Sequence, residues 1–189
     1  MFPLYLVPKG ARKVRKNQNN NQKDKRQMKK IRAAVVGYGN IGRYAIQALE
    51  AAADFEIAGV VRRNGAENKP AELADYEVVK DIKELKDVDV AILATPTRSC
   101  PEYAKSIIPQ GINTVDSFDI HTSILDYRTE MMPICKENNG VSVIAAGWDP
   151  GSDSIVRTLL QSLAPKGLSY TNFGPGMSMG HSVCARSKK

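Results

Sequence analysis

Gly37-Tyr38-Gly39-Asn40-Ile41-Gly42 sets three glycines at the spacing of a backbone turn that can grip phosphate. Such glycines are weak evidence alone, because ordinary turns also collect them. Here the turn follows the apolar run Ile31-Arg32-Ala33-Ala34-Val35-Val36 at once and opens a segment with helical spacing, the context that dinucleotide binding needs. Gly37 permits the tight turn, Gly39 lets the backbone approach a pyrophosphate, and Gly42 lets helix and strand pack closely. The helix N-terminus adds N–H donors and a partial positive charge. About 20 residues further on, a dinucleotide domain specific for NAD usually carries an acid for the ribose hydroxyls. This sequence has Arg62-Arg63 instead. Two guanidiniums suit a 2′-phosphate, which an acid would repel, so NADP is the expected cofactor. The plainer alternative is a solvated arginine pair in a turn.

A second group of reactive types stands at expected strand ends, where open α/β sheets bind ligands. Thr95-Pro96-Thr97 follows one strand and is expected under the cofactor. Asp116-Ser117-Phe118-Asp119 follows the next, and Trp148-Asp149-Pro150-Gly151 the one after. Carboxylates there suit a cationic group such as a substrate ammonium. Asp116 or Asp149 has the alternative of only capping a turn or helix. His121 stands near Asp119, with capping or packing as its plainer role. His181 lies in the loop Gly174-Pro175-Gly176-Met177-Ser178-Met179-Gly180-His181, which gives it little reason to be core. Asp119, Asp149 and His181 are therefore the candidate catalytic side chains. No Ser-His-Asp or metal-ligand spacing stands out, and no metal is expected.

The elements that must position these residues follow from periodicity. Strands are expected at 31–36, 56–61, 89–94, 113–116 and 141–145. Helices are expected at 41–53, 101–108, 123–137 with a kink or break at Pro133, and 154–163. Residues 81–85 read as a short helix or turn capped by Asp81, and 170–173 as a strand. This alternation predicts an α/β fold with a doubly wound parallel sheet, a Rossmann domain over 31–150. Residues 151–189 would begin a second domain, and the sequence stops where a further element is due, so it reads as incomplete.

The formal charge of +7 belongs to one end. Residues 1–30 hold ten Lys/Arg and one acid, while 31–189 hold seventeen bases and nineteen acids. The first 30 residues have little apolar content beyond 2–7 and are expected to be a disordered basic tail. Met28 is a plausible alternative start, and nucleic-acid binding is a minor option. Three widely spaced cysteines (Cys100, Cys135 and Cys184) support neither a disulfide framework nor a zinc site. With no apolar run of about 20 residues, a cytoplasmic protein without membrane attachment is expected.

Taken together, the glycine turn with Arg43, Arg62-Arg63, Val115-Asp116-Ser117-Phe118-Asp119-Ile120-His121, Ala146-Gly147-Trp148-Asp149-Pro150-Gly151 and the loop from Phe173 to His181 resemble the meso-diaminopimelate dehydrogenases. The last three motifs together are the specific ones, and the segments Asp116-Ser117-Phe118-Asp119 and Gly147-Trp148-Asp149-Pro150-Gly151 argue against a related NADP oxidoreductase such as a dihydrodipicolinate reductase-like or homoserine dehydrogenase-like enzyme. The resemblance implies NADP-dependent oxidative deamination of meso-2,6-diaminopimelate at its D-centre, in lysine biosynthesis. The products would be L-2-amino-6-oxopimelate, ammonia and NADPH, and the reaction would be reversible. It implies NADP contacts at Tyr38 to Ile41, Arg62, Arg63, Thr95, Pro96, Thr97, Phe118, Asp119, Pro150 and Gly151. It implies substrate contacts at Asp119, Trp148, Asp149, Asp153, Phe173, Met179, Gly180 and His181. Family members also continue well past the position of His181 into an α+β substrate and dimerisation domain. This chain would then hold the start of that domain and be a truncated form of a homodimeric enzyme, and a truncated form has the alternative of being a non-catalytic NADP-binding fragment.

Overall fold

A computed structural model describes residues 29–168. Its strands are β1 (Ile31–Val36), β2 (Phe55–Val61), β3 (Val78–Val79), β4 (Val90–Leu93), β5 (Asn113–Asp116) and β6 (Ser142–Val143). Its helices are α1 (Asn40–Ala51), α2 (Cys100–Ile107), α3 (Ile124–Glu137) and α4 (Ser152–Leu163). The strands form one sheet, all parallel, in the order β3-β2-β1-β4-β5-β6. This is the doubly wound dinucleotide-binding order, with the chain reversing direction across the sheet at β1 and β4.

From Ala33 to Val36, β1 is continuously apolar because that part is covered on both faces. Ala33 and Val35 pack with Ile46 and Leu49 of α1, whereas Ala34 and Val36 pack with Ala104 and Ile107 of α2. Beyond α1, toward the amino ends of β4, β5 and β6, Val90, Ile92, Val115 and Val143 line an apolar cavity of about 630 Å³. The larger opening lies at the other end of the strands.

Several boundaries differ from the sequence expectation, for local reasons. β6 covers only Ser142–Val143, because Ala145 takes φ +61 and donates its N–H to the Asp116 carboxylate at 3.1 Å. Pro133 does not divide α3, which runs unbroken over Ile124–Glu137. β3 escapes periodicity because it has two residues. Asp81 does cap the following short turn: it accepts from Lys83 N–H at 2.9 Å, and Glu84 accepts from Asp81 N–H at 2.8 Å. Among the described residues, no helix is long and apolar enough to cross a membrane. The expected tail over 1–28, the expected strand at 170–173 and the loop ending at His181 lie outside the described residues.

Candidate functional site

The glycine turn joins β1 to α1 and forms one wall of a cleft of about 970 Å³ at the carboxyl ends of the strands. Gly37 has φ +99, and a Cβ there would lie 2.6 Å from the Ala94 carbonyl oxygen. A Cβ on Gly42 would lie 2.2 Å from the Gly37 carbonyl oxygen. These two positions are closed to any side chain. Gly39 differs, since a Cβ there would meet nothing within 4 Å. The empty space in front of Gly39 is where a ligand backbone can approach, and α1 starts from Gly39 with no side-chain cap. Its first-turn N–H groups lack intrahelical acceptors and suit an anion. The turn fits a pyrophosphate.

The same cleft is lined by Arg62 and Arg63 at the end of β2, by Thr95, Pro96 and Thr97 after β4, and by Asp119 after β5. Arg62 donates to the Gly65 carbonyl at 3.3 Å, and among the described residues no carboxylate pairs with either arginine. Tyr38 leans on Glu72 at 3.4 Å; burial and that carboxylate push its hydroxyl pKa up. Asp119 is tied to the β4 loop, its N–H donating to Thr97 Oγ1 at 3.0 Å. Its Oδ1 is buried without a hydrogen-bond partner. A buried acceptor left open costs on the order of 1–3 kcal/mol, so this oxygen is suited to a donor brought by a ligand.

Asp116 has a different role. Only 2 % exposed, it accepts from Phe118 N–H at 2.9 Å and from Tyr127 hydroxyl at 2.8 Å, besides Ala145. It knots β5, α3 and the end of β6 and belongs to the frame. The knot also turns Phe118 inward. The ring of Phe118 packs on Tyr127 with centroids 5.0 Å apart and is 3 % exposed, so the side chain expected to touch NADP sits in the core. Burial raises the Cys100 thiol to about 11, which keeps it a protonated core residue.

Trp148, Asp149, Pro150, Gly151 and Asp153 gather at the start of α4 and do not line the cleft. Trp148 is half exposed. Asp149 accepts from Arg157 Nη2 at 3.0 Å and lies 3.9 Å from His121 Nε2. His121 thus approaches Asp149 rather than its sequence neighbour Asp119. Asp153 is buried, with its carboxylate 2.8 Å from Arg157 Nε. Arg157, four residues beyond Asp153 on α4, was not singled out in the sequence; an i,i+4 pairing in the first turn was its available signal. Phe173, Met179, Gly180 and His181 lie outside the described residues.

Comparison with known proteins agrees with this geometry. Residues 31–116 match the model of an oxidoreductase family with an NAD-binding Rossmann fold. The chain is 72% identical over 160 residues to meso-diaminopimelate D-dehydrogenase of Bacteroides fragilis, a match covering 85% of this chain and 54% of that protein. A mutant meso-DAP dehydrogenase from Clostridium tetani, solved with DAP, superposes with TM-score 0.67 at 38% identity, covering 83% of this chain and 49% of that one. An engineered D-amino acid dehydrogenase bound to NADP+ superposes with TM-score 0.64 at 32% identity, covering 83% and 49%. The chain spans about half the length of the curated relatives it matches. On these matches it belongs to the meso-diaminopimelate dehydrogenase family, with an NAD(P)-binding Rossmann domain as its described body.

Proposed function

We propose that this chain is the cofactor-binding half of an NADP-dependent dehydrogenase that oxidatively deaminates meso-2,6-diaminopimelate at its D-centre. The balanced reaction takes substrate, NADP and water to L-2-amino-6-oxopimelate, ammonium, NADPH and a proton. Residues 31–150 are the NADP-binding domain, 151–189 begin the substrate and dimerisation domain, and 1–30 are a basic tail with no part in the chemistry. The working enzyme is a cytoplasmic homodimer that binds neither membrane nor nucleic acid.

The carrying observation is Asp119: a buried, unpartnered carboxylate oxygen in the same cleft as the glycine turn and the arginine pair. When bound, the nicotinamide accepts the hydride. The glycine turn holds the pyrophosphate, Arg62 and Arg63 hold the 2′-phosphate, and Thr95 to Thr97 with Asp119 border the reactive end. Pro150 and Gly151 complete the NADP contacts through their turn, and Phe118 contributes backbone. Asp119 and Asp149 orient the substrate amine and take up protons, while Trp148 and Asp153 shape the other side with Phe173, Met179, Gly180 and His181.

A hybrid tests this reading: the chain joined to the part of the Bacteroides fragilis relative that it does not match. NADP reduction at 340 nm with meso-diaminopimelate is the expected result. Asp149→Ala is expected to lower kcat by about 100-fold or more with NADP affinity unchanged. Near-normal turnover would remove Asp149 from the mechanism, and a folded, NADP-binding hybrid with no turnover would contradict the function.

A further inference from the structure

We infer that Lys80 is a third cation of the 2′-phosphate site and sets the preference for NADP over NAD, with Glu67 competing for it. The inference rests on the NADP reading above. β3 pairs with β2 so that Val79 stands opposite Val61, and Arg62 N–H donates to the Val79 carbonyl at 2.9 Å. The residue after Val79 is thereby carried beside the arginine pair. Lys80 lines the same cleft as Arg62, Arg63 and Asn64.

The turn after β2 fixes the lysine stem. Gly65 N–H donates to the Arg62 carbonyl at 2.9 Å, and Gly65 itself takes φ +53. A Cβ on Gly65 would lie 2.8 Å from Lys80 Cγ, so the turn backbone rests on the aliphatic part of Lys80. The head of the side chain remains exposed, with Nζ 3.0 Å from Glu67 Oε1 and side-chain exposures of 60% and 69%. An ion pair this exposed contributes little. A phosphate dianion, with more charge and three acceptor oxygens, is a stronger partner for the ammonium. A ribose 2′-hydroxyl carries no charge to draw it away from Glu67. Lys80 therefore contributes to NADP binding and hardly at all to NAD binding, which is what a specificity determinant does. Arg62, for its part, spends one donor on the Gly65 carbonyl, which leaves room for a further cation on the phosphate.

The experiment titrates the chain separately with NADP and NAD. Lys80→Met is expected to weaken NADP about fivefold while NAD stays within about twofold; the unchanged NAD affinity also reports that the fold is intact. Glu67→Gln is expected to strengthen NADP by about two- to threefold, and to have no such effect in the Lys80→Met background. If the wild-type chain prefers NADP and Lys80→Met keeps the same ratio, Lys80 is only a surface ion pair and the inference falls while the cofactor assignment stands. If the wild-type chain shows no preference, the cofactor assignment itself fails, and Lys80 with it.

Discussion

Replacing Arg62 and Arg63 together by alanine is expected to weaken NADP binding by about 100-fold and to change NAD binding by no more than about twofold. Each charge-assisted contact to a phosphate is worth roughly 1.5–3 kcal/mol when well placed, and partial exposure reduces that. Both arginines line the cleft at the end of β2, and among the described residues neither is neutralised by a carboxylate. Their loss removes charge where a 2′-phosphate would lie and leaves the glycine turn untouched, so the two cofactors separate cleanly. Fluorescence titrations with NADPH and NADH on the wild-type and doubly substituted chains read the ratio. An unchanged ratio would show that the arginines are solvated bystanders.

Asp116→Ala is expected to be strongly destabilising, lowering the unfolding free energy by about 3 kcal/mol and the melting temperature by about 10 °C. Three donors would lose their acceptor at once: the N–H groups of Phe118 and Ala145 and the Tyr127 hydroxyl. Asp116→Asn keeps one acceptor oxygen and is expected to lose about half as much. The same knot has a pH signature. Burial, then the Asp116 charge, raise the Tyr127 pKa above its ordinary 10.0, so the folded protein keeps a proton that the unfolded chain releases. That contribution is complete below pH 10 and is lost as pH rises beyond it. Thermal melts should therefore fall steeply on the alkaline side, and Tyr127→Phe should flatten that fall. An equal alkaline slope in both chains would detach Tyr127 from it.

What the sequence made legible was what the chain builds locally. The strand, glycine turn and helix at residues 31–51 are contiguous, and Gly37 and Gly42 answer contacts with the loop after β4 and with a near neighbour, while Gly39 leaves open space. The place of Arg62-Arg63 in the cleft was legible because the end of the second strand follows the turn at a fixed distance along the chain. Distant partners were not legible. Asp116 has the sequence setting of a ligand group, yet Tyr127 and Ala145, 11 and 29 residues away, satisfy it. Phe118 followed it inward. Lys80 belongs to no periodic segment, since the strand just before it has two residues and exists only by pairing with β2. His121 stands two residues from Asp119 yet reaches toward Asp149, because the chain turns into α3 between them and α4. Short elements at a sheet edge and side chains recruited across the fold leave no periodic mark.

The dehydrogenase reading is tested most directly by its stoichiometry and stereochemistry. The hybrid chain, supplied with NADP and each diaminopimelate isomer in turn, should release one ammonium per NADPH from the meso isomer and give no reaction with the L,L isomer. NADPH formed without ammonium, or formed equally from the L,L isomer, would contradict the account.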